Sequence, residues 1–369
     1  FAVFGRGVIE AMRKLDWRPD VIHANDWHTA VVPTWLDVTG WREPYYRDIA
    51  TLFTIHNLAY QGITGRLILT FAKMEDVEHL SVEPPGDVNW MAQGIAHSNL
   101  INTVSERYAE EILTPEMGMG LESLLKKRKD RLHGVLNGLD YDEWNPVTDP
   151  WVPHNFDVRS LDRRAANKTA LQQQARLPVR SDVPLVGMVS RLDYVKGMDL
   201  MEPTLTWLLT EHDAQFVVLG TGDPRYHEMF EVIQHRYPDR ARAFLKFDAG
   251  LARRIYASAD MFLMPSLVEP CGLGQMIAMR YGSVPIVRRT GGLADTVTDH
   301  DAESGHGTGF VFVESTPEAC QEALQRALEV YEDRETWRAL QMRGMESDFS
   351  WTASAREYVD LYRKALDVH

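Results

Sequence analysis

Cysteine is scarce in this sequence, since only Cys271 and Cys320 occur among 369 residues. Two cysteines cannot build a framework of several disulfides, and no CxxC or Cys/His spacing indicates a zinc site. Long apolar runs are also missing, because no stretch approaches the ~18 to 20 apolar residues of a membrane span. The opening FAVFGRGVIEAMRKLDW carries charge and glycine where a signal peptide would be apolar. We therefore expect a cytoplasmic protein in a reducing compartment, with no membrane partner.

Positive charge is in deficit as well, with 39 Lys and Arg against 53 Asp and Glu and a net charge of -14. This balance argues against nucleic acid as a partner. One local run, from Lys126 to Lys129, is basic, and we expect it to be a solvated segment.

The length of 369 residues exceeds what one core usually holds, about 250 to 300 residues, so two domains are expected. Short apolar runs alternate with segments of helical period, which predicts an α/β fold with mostly parallel sheets. The predicted strands are DVIHAND, TLFTIHN and INTVS, continuing to GVLNGLD at 134–140, and then PLVGMVS, QFVVLG, AFLKF, DMFLMPS and VPIVR.

Two irregular stretches interrupt this alternation. The polar, proline-containing VEPPGDVN at 82–89 lies within the first series, and YDEWNPVTDPWVPHNFD, rich in Pro, Asp and Trp, separates the two series. We place an N-terminal domain at 1–137, a second domain at 138–348 and a final helix at 349–369.

Polar and glycine-rich segments follow the apolar runs, and parallel sheets bind their ligands beyond the carboxyl ends of strands. In the first domain the candidates are His23, Asp26, Trp27 and His28 after one strand, and His56, Asn57 and Tyr60 after the next. In the second domain they are Arg191 and Lys196; Gly220, Gly222 and Asp223; Glu269, Gly272, Leu273 and Gly274; and Thr290, Gly291 and Gly292.

These residue types together predict a nucleotide-phosphate site. Arginine and lysine neutralise a diphosphate, glycines let backbone N–H groups approach its oxygens, and a carboxylate binds sugar hydroxyls. Taken alone, each of these residues or short motifs more often has a structural role than a ligand-binding one. His23, Asp26 and His28 lack the HExxH spacing of a helical zinc site, so no metal is expected there. Two interpretations of Trp27 remain open, a platform for a sugar ring and a core residue.

A resemblance to the glycogen and bacterial starch synthases is carried by HANDWHTA, FTIHNLAYQG, NTVSERYAEEI, GVLNGLDYDEWNP, SRLDYVKGMDL, LGTGDP, PSLVEPCGLGQ and VRRTGGLADTV. It extends from about Pro19 to the C-terminus. Broader sugar transferases usually carry a second Glu eight residues after the first, where Ile277 stands here. The resemblance implies a GT-B architecture, two Rossmann-like domains facing each other across a cleft, with a last helix that crosses back to the first domain.

The resemblance also implies a role for each candidate. Arg191 and Lys196 would hold the donor diphosphate, and Glu269 would bind the transferred glucose. His56 would be a further catalytic residue that contacts the donor. Phe247 would lie against the nucleobase, and backbone N–H groups at Gly272–Leu273–Gly274 and Gly291–Gly292–Leu293 would also contact the donor. The remaining donor contacts would come from Asn57, Asn137, Gly220, Gly222, Asp223 and Thr290. His23, Asp26, Trp27, His28 and Tyr60 would lie on the acceptor side.

Three departures from the family pattern stand out. The family's KxGGL loop, whose lysine reaches the donor phosphate, has no counterpart here, so we expect the chain to begin partway through the first domain, without its opening βα units. Alone, it is then expected to bind nucleotide but to transfer glucose poorly. Val195 stands where Gln is usual and Gly274 where a hydroxyl residue is usual, and backbone contacts would survive both changes.

The implied reaction is retaining transfer of glucose from a nucleotide sugar, with ADP-glucose favoured over UDP-glucose, to the non-reducing end of an α-1,4-glucan. The leaving phosphate, held by Arg191 and Lys196, would take the proton of the acceptor hydroxyl, so that no metal and no other cofactor is expected. Two alternatives remain open: another GT-B transferase of the sucrose synthase type, and a catalytically incomplete module that binds glucan or nucleotide. The oligomeric state is left open.

Overall fold

The computed structural model describes residues 1–74 and 86–369. These residues form two compact units, one of Phe1–Asn137 with Thr352–His369 and the other of Gly138–Trp351. The first break falls within GVLNGLD, between Asn137 and Gly138, and all but the first residue of the last helix belongs to the first unit.

The first unit is a parallel sheet with helices around it. In the described residues the sheet has the order β1-β2-β5-β6, and a separate antiparallel pair joins β3 to β4. Its strands are β1 (Val21–Asn25), β2 (Ala50–Ile55), β3 (Ile63–Gly65), β4 (Asp87–Asn89), β5 (Leu100–Thr103) and β6 (Leu132–Gly134). Its helices are α1 (Ala2–Lys14), α2 (Asp26–Thr29), α3 (Val31–Val38), α4 (Ile68–Ala72), α5 (Trp90–His97), α6 (Glu106–Glu111), α7 (Glu122–Lys127) and α16 (Trp351–Asp367).

The second unit is a parallel sheet of order β12-β11-β10-β7-β8-β9. Its strands are β7 (Leu185–Val189), β8 (Gln215–Leu219), β9 (Ala241–Phe244), β10 (Met261–Met264), β11 (Val284–Arg288) and β12 (Phe310–Phe312). Its helices are α8 (Arg164–Gln174), α9 (Met201–Glu211), α10 (Pro224–Arg236), α11 (Ala249–Ser258), α12 (Gly274–Arg280), α13 (Gly291–Thr296), α14 (Pro317–Glu332) and α15 (Arg334–Glu346). The chain runs outward from β7 to β9 and then returns to place β10 on the other side of β7. This reversal of strand order is where ligands of such sheets usually bind.

Several local predictions were wrong or displaced. The strand predicted at AFLKF ends at Phe244, so Phe247 lies beyond it, and β12 in GFVFV was missed because three residues carry little periodicity. Part of the polar stretch at 82–89 forms β4, whereas residues 82–85 lie outside the described residues.

Arg128 is half-buried and donates to the carbonyl of Ser98, so it is not part of a freely solvated basic run. Burial lowers the pKa of this guanidinium.

Within residues 1–74 and 86–369, no helix is both long enough and apolar enough to span a membrane.

His23, which is predicted to lie on the acceptor side, packs against α16, and its acceptor-side role stays a prediction. The ring Nδ1 lies 3.0 Å from the hydroxyl of Tyr362, and Nε2 lies 2.5 Å from Oγ1 of Thr54. Both ring nitrogens therefore have protein partners. Burial, with a smaller contribution from His56, lowers the pKa of His23 to about 4. His23 joins the sheet to the last helix as a neutral side chain.

This burial predicts a pH dependence of stability. The unfolded chain binds a proton on His23 near pH 6.5, whereas the folded chain does so only near pH 4. The stabilisation is therefore present above pH 6.5 and is lost as the pH falls through 4, by up to about 3 kcal/mol. Urea unfolding followed between pH 7 and 4 should show a smaller loss in His23→Gln than in the unchanged protein. His154→Gln, at an exposed position, is the control, and equal losses in all three proteins would contradict the prediction.

Candidate functional site

A cleft of about 200 Å³ opens in the second unit beyond the carboxyl ends of β7 and β10. We call it the β7–β10 cleft. Ser190 and Arg191 line it directly after β7, and Pro265 and Ser266 line it directly after β10. It therefore lies at the point where the strand order reverses. Its lining also includes Lys196, Glu269, Gly272, Leu273 and Gly274.

The centre of the cleft is an ion pair between Lys196 and Glu269. Nζ of the lysine lies 2.5 Å from Oε2 of the glutamate, and Ser266 Oγ donates to the same oxygen over 3.1 Å. The glutamate side chain is only 8% exposed and the lysine side chain 19%. A carboxylate buried to this degree is costly unless it is paired. The lysine thus neutralises a charge that the fold places at a strand end.

The backbone around Lys196 is fixed by a short turn. Residues Tyr194–Lys196 form one turn of 3₁₀ helix, whose cap Asp193 accepts the N–H of Lys196 over 3.1 Å. The next residue, Gly197, has φ +75°, and a Cβ there would lie 2.0 Å from the carbonyl oxygen of Pro265. Glycine at this position lets the loop after β7 pack against the loop after β10, which brings the lysine to the glutamate.

Arg191 occupies the same cleft but is held loosely. Its side chain is 62% exposed, and its Nη1 lies 3.1 Å from Oδ2 of Asp193. An exposed pair of this kind adds little to stability. The guanidinium is therefore free to reorient towards an anionic ligand at small cost.

The N–H groups of Gly292 and Leu293, which are predicted to face a ligand, have protein acceptors in this structure. The N–H of Gly292 donates to the carbonyl oxygens of Glu269 and Pro270 over 3.1 and 3.2 Å, and that of Leu293 donates to Thr290. A Cβ on Gly291 would lie 2.1 Å from the Glu269 oxygen, and one on Gly292 would lie 2.0 Å from the Cys271 oxygen. These glycines allow the loop before α13 to touch the loop that carries Glu269. Thr290, which precedes α13, is buried.

The LGTGD segment has a similar structural explanation. A Cβ on Gly220 would lie 2.2 Å from the carbonyl oxygen of Ser190, and one on Gly222 would lie 2.2 Å from that of Leu192. Asp223 caps α10 by accepting the N–H of Arg225 over 3.0 Å. The two glycines thus bring the loop after β8 alongside the loop that bears Arg191, and donor contacts by these three residues remain a prediction.

Three further donor-side candidates lie in loops. Phe247, between β9 and α11, is 88% exposed, which leaves its ring open to a stacking partner. Gly272 has φ +72°, and an added Cβ would lie 2.9 Å from Cγ of Glu269. Leu273 is 44% exposed at the start of α12, whose first residue is Gly274.

In the first unit, His56 is held by the residues at the end of β1. Its backbone N–H donates to Oδ1 of Asp26 over 2.8 Å, and its ring Nε2 lies 2.9 Å from Oδ1 of Asn25. Asp26 has φ 55°, an uncommon conformation for a residue other than glycine. Asn57 uses its Oδ1 to accept the N–H of Ala59 over 3.0 Å, which shapes the turn after His56.

Trp27, which follows β1, packs against a neighbouring ring and against the loop after β2. Trp27 stacks on His28 with 4.0 Å between ring centroids. Gly62, with φ +64°, packs on Trp27 so closely that a Cβ would lie 2.2 Å from the indole. Tyr60, in the same loop, is 58% exposed. Trp27 therefore supports the loop after β2. Asn137, the last residue before the break, is half-buried.

Sequence reasoning omitted three residues that the structure places in these groups, namely Asn25, Asp193 and Ser266. Asn25 binds the ring of His56, Asp193 binds both Arg191 and the backbone of Lys196, and Ser266 binds Glu269. Asn25 and Ser266 stand at the carboxyl ends of the predicted strands DVIHAND and DMFLMPS, and Asp193 follows PLVGMVS by three residues, so the strand-end position was the available signal. In the described parts of the chain, no group of three His, Cys, Asp or Glu side chains is arranged to hold a metal ion.

Comparison with known proteins shows which protein family the sequence matches. A sequence model of the starch synthase catalytic domain matches residues 1–127, and one of the glycosyl transferases group 1 matches residues 171–340. A glycogen synthase of Thermotoga maritima is 45% identical over 366 residues, which are 98% of this chain and 75% of the relative. A glycogen synthase of Clostridium perfringens is 44% identical over 369 residues, with 99% and 76% covered.

Solved structures agree with the sequence relatives. The catalytic domain of starch synthase IV from Arabidopsis thaliana, bound to ADP and acarbose, matches with a TM-score of 0.90 and 36% identity, over 99% of this chain and 77% of that one. A sucrose-phosphate synthase from Thermosynechococcus elongatus matches with a TM-score of 0.61 at 20% identity, which shows a likeness of fold alone.

Proposed function

Because this chain belongs to the glycogen and starch synthase family of GT-B glycosyltransferases, we propose that it transfers glucose from ADP-glucose to the non-reducing end of an α-1,4-glucan with retention of configuration. The observation that carries the proposal is the Lys196–Glu269 pair in the β7–β10 cleft, with Arg191 beside it. ADP and acarbose, bound by the Arabidopsis relative, are a nucleotide and a ligand of glucan type.

In this proposal the two cations act on the leaving group. Lys196 and Arg191 stabilise the charge that develops on the departing diphosphate, which is the largest electrostatic demand of the reaction. Glu269 accepts hydrogen bonds from hydroxyls of the transferred glucose, and the phosphate takes the proton of the acceptor hydroxyl on the same face of the sugar. The work of the protein is then positioning and electrostatic stabilisation.

Donor choice and metal dependence are tested together. We expect incorporation of labelled glucose into glycogen from ADP-glucose at a higher kcat/KM than from UDP-glucose, and we expect EDTA to leave this rate unchanged because the two side-chain cations supply the charge. Calorimetry with ADP measures donor-side binding on the same sample. A higher kcat/KM with UDP-glucose contradicts the donor assignment, and a rate that EDTA abolishes and Mg²⁺ restores contradicts the role of the two cations.

Glu269→Gln separates the catalytic role of the glutamate from its structural one. Glutamine keeps the shape and a hydrogen-bond acceptor for Ser266 and Lys196 but removes the negative charge. We expect kcat to fall at least 100-fold while the melting temperature moves by only a few degrees. Both quantities are measured on one preparation. A large fall in melting temperature with near-normal turnover per folded molecule would show that the carboxylate serves folding.

A further inference from the structure

A second cavity, of about 440 Å³, lies between α8 and α15 in the second unit. We call it the α8–α15 cavity. It shares no lining residue with the β7–β10 cleft, and the two lie at opposite ends of β10. Asp260, which precedes that strand, lines the cavity, whereas Pro265 and Ser266, which follow it, line the cleft.

The lining of this cavity is cationic, although the chain as a whole carries a net charge of -14. Four cations and two carboxylates line it: Arg164, Lys168, Arg334, Arg338, Asp162 and Asp260. Both carboxylates are already paired, Asp260 with Lys168 over 2.7 Å and Asp162 with Arg338. Among the described residues, no carboxylate lies within 4.0 Å of Arg164 or Arg334. Arg164 and Arg334 thus make no salt bridge within the described residues.

Arg164 is the deeper of these two cations. It is 5% exposed, and its Nη2 donates to the carbonyl of Ala259 over 2.6 Å and to Ser283 Oγ over 3.1 Å. Its Nε has no acceptor in the described chain, and neither does the buried indole N–H of Trp337, another lining residue. Burial lowers the pKa of Arg164 to about 10, and the charges of Asp260 and Tyr331 offset the cost of burial only in part.

Arg334 stands at the rim. Its guanidinium lies 3.9 Å above the ring of Tyr331, and Nη2 donates to the carbonyl of Asp182 over 3.1 Å. The stacking holds the planar group in place and leaves its remaining donors for a ligand. A fixed guanidinium of this kind suits the oxygens of a phosphate group.

We propose that the α8–α15 cavity binds a small organic phosphate, with the phosphate group between Arg164 and Arg334. The volume falls in the range of about 300 to 1,000 Å³ that small-molecule sites occupy, which leaves room for an organic group besides the phosphate. Four cations against two carboxylates leave the lining two positive charges in excess, which matches the charge of a phosphomonoester dianion. The paired Lys168–Asp260 and Arg338–Asp162 groups complete a polar wall without adding net charge.

The test titrates the full chain with inorganic phosphate and with glycerol phosphate by calorimetry. Saturating ADP is present to occupy the β7–β10 cleft, the ionic strength is held constant, and the titrations are repeated in Arg191→Ala/Lys196→Ala protein. Arg334→Gln removes the rim cation, and Ala165→Glu places a carboxylate at an exposed lining position, so that neither change replaces a buried side chain. Arg159→Gln, an exposed arginine close in sequence but outside the lining, is the matched control.

We expect saturable binding of glycerol phosphate, tighter than that of inorganic phosphate, which weakens at least tenfold in both Arg334→Gln and Ala165→Glu. Binding in Arg159→Gln should match that of the unchanged protein, and glycerol should not bind. The proposal is overturned if no saturable binding occurs in the presence of ADP. It is equally overturned if binding is unchanged in the two cavity variants, or if Arg159→Gln weakens it as much as Arg334→Gln does.

Discussion

Replacing Arg191 or Lys196 by alanine is expected to lower kcat by roughly 100- to 1,000-fold, because each loses a charge-assisted donor to the departing diphosphate. The two variants should differ in stability. Arg191 is largely exposed, so Arg191→Ala should unfold as the unchanged protein does. Lys196→Ala leaves Glu269 buried without its cation, so this variant should also be less stable.

A double variant separates these two effects of Lys196. Lys196→Ala/Glu269→Gln removes both charges of the pair and should regain much of the lost stability, while its turnover stays low. Arg180→Ala is the control for Arg191, because Arg180 is also an arginine with a partly exposed side chain that is paired with carboxylates, but it lies outside the cleft. Turnover is measured by transfer of labelled glucose and stability by urea unfolding. Near-normal kcat in both single variants would remove the phosphate-clamp assignment.

Lys168→Met is expected to cause the largest loss of stability, about 3–5 kcal/mol. The ammonium of Lys168 lies 2.7 Å from Oδ2 of Asp260 and 3.1 Å from the hydroxyl of Tyr331, and both charged side chains are nearly inaccessible. Burial lowers the pKa of Lys168, but Asp260 and Tyr331 outweigh it and raise the pKa overall. Methionine keeps the apolar length and leaves Asp260 buried without a counter-charge.

Removing the remaining charge should reverse part of this loss. In Lys168→Met/Asp260→Asn the asparagine retains an acceptor for the N–H of Leu185, which donates to Asp260 over 2.9 Å in the unchanged protein. We expect the double variant to be more stable than Lys168→Met alone when both are unfolded in urea. If Lys168→Met loses less than about 1 kcal/mol, the pair contributes no more than an exposed ion pair does.

Much of the fold followed from periodicity. Buried parallel strands are continuous apolar runs, so β2, β7, β8, β10 and β11 were recognisable from a few adjacent residues. The short strands β3, β4 and β12 could not be recognised in this way, because each is three residues long and depends on a partner strand elsewhere in the chain.

The sequence by itself determined that Arg191, Lys196 and Glu269 follow strands of one sheet, because carboxyl ends of parallel strands meet at a single edge. Only the tertiary structure decided how they are used. It paired Lys196 with Glu269 across 73 residues, and it packed the half-buried His23 against Tyr362 across 339 residues. It also directed the N–H of Gly292 to a neighbouring loop. Such contacts depend on which loops meet once the sheet is assembled, and no local pattern of residues encodes that meeting.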